Sequence, residues 1–78
     1  MREKERKTVI TFHTTAEAIA LEAQCLKEKI PGRLIPVPRQ ISSGCGLSWA
    51  MPVDWDGDME KWMEERGLSW AECGAYFI

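Results

Sequence analysis

The chain has 78 residues, ten basic and twelve acidic side chains, a formal net charge of −2, three cysteines and 45% apolar residues. That excludes a second domain and a membrane-spanning segment, and an odd cysteine count with no secretory signal ahead of it does not support a disulfide framework. What remains is one small, reduced domain, expected in the cytoplasm, that buries about 60% of the surface its unfolded chain exposes.

Residues 1–7 form a charged arm in which Arg2, Lys4, Arg6 and Lys7 surround Glu3 and Glu5, and residues 8–78 form the domain. The arm reads as a flexible, solvated tail. Without an aromatic-interleaved basic face it does not make a nucleic-acid site. Thr8-Val9-Ile10-Thr11-Phe12 is β-branched and aromatic, hence a first strand. Thr14 followed three residues later by Glu17 is a capping box. Behind it Ile19, Ala23, Leu26 and Ile30 recur at helical spacing, which predicts the buried stripe of a first helix stopped by Pro31-Gly32.

Arg33 to Val37 reads as a second strand, confined to a sheet edge because proline cannot donate to a ladder. Leu47, Trp49 and Met51 alternate with polar or small residues and predict a third strand ended by Pro52. Asp54, Asp56 and Asp58 offer caps for a second helix carrying Met59, Trp62, Met63 and Arg66 as far as Gly67. Leu68 to Phe77 reads as a last strand, with Ala71, Cys73, Ala75 and Phe77 on one face. The order β-α-β-β-α-β predicts an α+β, ferredoxin-like two-layer sandwich with a four-stranded antiparallel sheet. Right-handed crossovers place the third strand between the first and second, antiparallel to both.

The chemistry concentrates at Gly44-Cys45-Gly46, preceded by Pro36-Val37-Pro38-Arg39 and Ser42-Ser43. A thiol between glycines is little crowded, and its reactivity is set by how much of it is thiolate. The topology brings the start of the third strand beside the end of the first. Cys45 is therefore expected near His13, Thr14, the capped helix start and Arg39, all of which favour an anion. The N–H groups of Gly44 to Leu47 could form an anion nest, with Ser42 and Ser43 as further donors. The bland alternative is equally open: the glycines serve a hairpin turn and Cys45 is a small filler. Cys25 reads as a packed helix residue and Cys73 as a strand residue on the core face. His13, the only histidine, is a structural residue or a proton relay. No spacing of Cys and His supports a metal site, and no cofactor motif is present.

The block Pro36-Val37-Pro38-Arg39-Gln40-Ile41-Ser42-Ser43-Gly44-Cys45-Gly46-Leu47, with Thr11-Phe12-His13-Thr14 and the helical segment from Ala18 to Lys27, resembles the short selenium/sulfur carrier-like family. The resemblance covers residues 8–77. It implies a covalent shuttle rather than a complete enzyme, holding sulfur or selenium as a persulfide or perselenide on Cys45. A donor such as a cysteine desulfurase and an acceptor protein are the implied partners. Members of the family also occur fused to a small sulfur-carrier domain in selenium metabolism. A competing expectation is a non-catalytic interaction or small-molecule-binding module with a structural Cys45, associating as a homodimer through exposed Trp side chains and an unpaired last strand. A third is a thiol–disulfide switch between Cys45 and Cys73.

Overall fold

The computed structural model describes residues 5–39, 41 and 46–78. The elements run β1 (Arg6–Thr11), α1 (Thr15–Glu28), β2 (Arg33–Pro36), β3 (Leu47–Pro52), α2 (Met59–Glu65) and β4 (Glu72–Phe77). One antiparallel sheet has the order β2-β3-β1-β4, so β3 does lie between β1 and β2 and the proline-bearing strand is an edge. This is the ferredoxin-like α+β sandwich that the element order predicts.

Register fixes which residues face the helices. Ile10 stands opposite Trp49 on one side and Cys73 on the other, and Leu34 opposite Trp49, so all four share a face. Ile10, Phe12, Trp49 and Met51 from that face pack with Ala18, Leu21 and Cys25 of α1 and with Met59, Trp62 and Met63 of α2. Burying a side chain of this size stabilises by about 1.5–3 kcal/mol, so these few residues carry most of the core. On the other face Val9, Thr11 and Ser48 are also buried, and the Tyr76 ring lies along Gly74, the residue opposite Val9.

The predicted stripe of α1 is not the buried one. Ala18, Leu21 and Cys25 face the sheet, while Ile19 and Leu26 are 55% and 72% exposed. The helix carries two adjacent apolar stripes. The short junction at His13 and Thr14, locked by the capping box, sets the rotational phase and turns the smaller side chains inward. Nor does Pro31-Gly32 end the helix. Lys29 takes the left-handed conformation (φ 59°, ψ 36°), and the N–H groups of Lys29 and Ile30 both donate to the Cys25 carbonyl. Gly32 has a different task. At φ +130° its Cα lies so close to β3 that a Cβ would come within 2.6 Å of the Ala50 carbonyl oxygen and 2.7 Å of the Trp49 indole nitrogen.

The last strand begins at Glu72 rather than Leu68. The N–H groups of Arg66, Gly67 and Leu68 turn back to the carbonyls of Met63 and Glu64, with Gly67 at φ +68°, so this stretch closes α2 and is not free to pair. The two helices are clasped by one carboxylate. Glu28 accepts from Arg66 Nε and Nη2, both at 2.5 Å, from Trp62 Nε1 at 3.3 Å and from Gln24. The Arg66 guanidinium also lies 4.4 Å from the Trp62 ring centre. These donors hold the Glu28 carboxyl down at about 2, Arg66 contributing most.

Candidate functional site

Cys45, Ser42, Ser43 and Gly44 lie outside the described residues, and the site is built here from its flanks. Val37 N–H donates to the Gly46 carbonyl at 3.2 Å, tying together the two ends of the connection between β2 and β3. Ile41 N–H donates to the Pro38 carbonyl at 3.0 Å, a tight turn that carries Arg39 outward, while Ile41 itself is buried. Thr11 pairs with Ser48, so the start of β3 stands beside the end of β1, which runs on into Phe12, His13 and Thr14. The topology thus brings Gly46 and Leu47 to the corner where α1 begins.

That corner is already organised. Glu17 N–H donates to Thr14 Oγ1 at 3.2 Å, and the Glu17 carboxylate accepts from the backbone N–H of His13 at 2.6 Å and of Thr14 at 3.3 Å. His13 Nδ1 lies 3.2 Å from the same carboxylate on an exposed ring, which leaves Nε2 directed away from it. The His13 backbone donor, more than any other group, keeps the Glu17 carboxyl below its usual range. The helix start is therefore a positive pole carrying its own carboxylate, and that carboxylate also holds the His13 ring.

Apart from its chain neighbours, no described residue lies within 4 Å of where a Cβ on Gly46 would stand.

The other two thiols are poor nucleophiles. Cys25 is fully buried in the core, and burial, then the Glu28 charge, pushes it up to about 12. Cys73 is half-buried at the edge of a cleft of about 390 Å³ lined also by Thr8, Trp55, Met59 and Ala75; burial, then Glu60 and Asp58, pushes it up to about 11. Cys73 stands on β4, across β1 from β3. On the opposite face of the sheet lies a larger groove of about 980 Å³, lined by Lys7, Arg33, Ile35, Ala50 and Ile78. Among the described residues no group of three or more His, Cys, Asp or Glu is placed to hold a metal ion, and no helix is long and apolar enough to cross a membrane.

Two buried polar atoms escaped the sequence reading. Ser48 Oγ and Trp49 Nε1 have no hydrogen-bond partner among the described residues, though both residues sit at the start of β3 and are almost completely buried. Alternation in Leu47 to Met51 announces a strand with Trp49 inward. It carries no sign that Gly32 would cover the indole nitrogen.

Residues 7–73 match the family described as "Putative Se/S carrier protein-like". The chain belongs to this family. No curated protein and no solved structure matches it. The match begins in β1 and ends at the start of β4, so it takes in both helices, the first three strands and the connection that carries Cys45.

Proposed function

We propose that this family member is a single-thiol sulfur or selenium carrier with Cys45 as the carrying residue. The observation behind this is one of elimination: the two cysteines within the described fold are held protonated, at about 12 and about 11, and a carrier needs a thiolate. Gly46, beside which no described residue would meet a Cβ, fits a position kept uncrowded beside a reacting sulfur.

In the transfer, the Cys45 thiolate attacks the outer chalcogen of a donor persulfide or perselenide. A bond forms from Cys45 Sγ to that atom, the donor's own chalcogen bond breaks, and the donor thiolate leaves. A nucleophile on the acceptor then attacks the outer atom and Cys45 leaves as thiolate, with no net oxidation. Arg39 stabilises the anionic adduct. Ser42, Ser43 and the N–H groups at Gly44 and Gly46 donate to it, and Thr14 fixes the helix start. His13, oriented by Glu17, moves the proton.

Intact-protein mass spectrometry after incubation with a cysteine desulfurase and cysteine tests this. A sulfur-sized mass increase, reversed by reductant and absent from Cys45→Ser, is expected. An adduct that survives in Cys45→Ser moves the site to Cys25 or Cys73. No adduct with an active donor favours the second reading, a small-molecule or partner-binding module, for which the groove over Ile35, Ala50 and Ile78 is the specific feature.

A further inference from the structure

We propose that the cleft beside Cys73 binds a small organic ammonium ion, with Trp55 as its wall and Asp58 and Glu60 as its counter-charges. The first observation is the cavity. Met51, Thr8 and Ala75 stand in one row across β3, β1 and β4 on the helix-facing side of the sheet, and Cys73 lies two residues before Ala75 on the same face. Thr8, Ala75 and Cys73 are small. The sheet surface therefore falls away beneath the start of α2 and leaves a cleft of about 390 Å³. That volume lies in the range of about 300–1,000 Å³ found for small-molecule sites.

The second observation is a wall that is already in place. Trp55, on the connection from β3 to α2, is half-buried and packs against the core. Its six-membered ring lies along Gly57, where a Cβ would stand 3.0 Å from two ring carbons. A side chain there would push the indole aside, so glycine lets the ring be held before any ligand arrives. An indole attracts a cation seated over its face within about 6 Å, and more strongly where water is excluded. Met51 and Met59 line the same cleft with polarisable thioethers.

The third observation is the sign of the charge. Asp58 and Glu60 line the cleft, and among the described residues no lysine or arginine does. Asp58 accepts from the Lys61 N–H as the cap of α2, and neither carboxylate enters an ion pair with a described residue. Their field reaches inward: after burial, Glu60 and then Asp58 push the Cys73 thiol up. A field that opposes a thiolate at this place favours a cation. Cys73 itself stays neutral and acts as a small apolar contact, so the site stands apart from the Cys45 chemistry.

Amide NMR on the full chain carrying Cys45→Ser tests this without reference to the carrier reading. Benzylammonium, benzyl alcohol and benzoate present one apolar body with positive, zero and negative charge. Saturable shifts at Cys73, Gly74 and Ala75 are expected with benzylammonium, with an affinity about tenfold lower for benzyl alcohol and no binding of benzoate. Trp55→Leu and Glu60→Gln should each weaken benzylammonium about threefold or more while the remaining amides keep their positions. Glu60 is exposed, so its variant carries the test even where Trp55→Leu fails to fold. Benzoate binding as tightly as benzylammonium overturns the proposal. So does the absence of saturable shifts at residues 73–75, or benzylammonium binding that is indifferent to Glu60→Gln.

Discussion

Alkylation kinetics separate the three thiols. At pH 8 a thiol at about 11, such as Cys73, is thiolate to about one part in a thousand, and Cys25, at about 12, to about one in ten thousand. A cysteine at the ordinary 8.5 is about one quarter thiolate at that pH. Population alone favours the ordinary thiol over Cys73 about 250-fold. A more basic thiolate is intrinsically more nucleophilic, by about 0.4–0.5 log units per unit of pKa, which returns about a factor of ten. The population term wins, and Cys45 should react about twentyfold faster than Cys73 at pH 8, before the shielding of Cys73 adds to the difference. Iodoacetamide labelling followed by intact mass and peptide mapping should show one fast adduct, on Cys45, and three adducts only in denaturant. Because a thiol at the ordinary 8.5 is saturated as thiolate by then while Cys73 still gains about tenfold per pH unit, the two rates should converge near about pH 10. Comparable rates for Cys73 and Cys45 at pH 8 would refute the reasoning and, with it, the elimination on which the carrier assignment rests.

Gly32→Ala adds backbone strain of about 1–3 kcal/mol to a clash of similar cost against Ala50 and Trp49. Urea unfolding should therefore show the loss of much of the about 4–12 kcal/mol a domain of this length possesses. Gly46→Ala should be neutral or stabilising by up to about 1 kcal/mol in the same assay, yet slow the loading of Cys45. Glu28→Gln should lower the thermal midpoint at pH 7. The Glu28 carboxyl is depressed in the folded state, so its contribution is present above the unfolded value near 4.5 and lost toward 2, and the gap to wild type should close over that window. Lys29→Gly should stabilise by about 0.5–1 kcal/mol in urea, because glycine takes the left-handed cap without the penalty lysine bears.

The strand order could be read from the sequence because each strand announced itself by composition, and handedness left few ways to join them. The capping box at Thr14 and Glu17 and the cap at Asp58 were equally legible, since both depend on side chains within one turn. The face of α1 was not. Ile19, Ala23 and Leu26 make as regular a stripe as Ala18, Leu21 and Cys25, and only the junction with β1 decides between them. The clasp of Glu28 on Arg66 and Trp62, and the seat of Gly32 on Trp49, join residues far apart in the chain and leave no local trace. Of the candidate site, His13 and Thr14 stand at the start of α1, and Arg39 is exposed on the connection between β2 and β3. The carboxylate of Glu17 between the first two was read only as a capping residue.

The position of β1 has a consequence for how the chain comes together. Thr8 finds its neighbours at Met51 and Ala75, both far along the sequence, so the central strand has no nearby segment to pair with. A topology so rich in long-range pairings folds slowly for its size. On a ribosome, where about 5–20 residues are added per second, α1 can coil early behind its cap while β1 waits with both sides open. One side is covered once β3 emerges, the other only when β4 does. Until then the nascent chain presents Val9 and Ile10, two of the most deeply buried side chains of the finished molecule, to whatever holds or chaperones it.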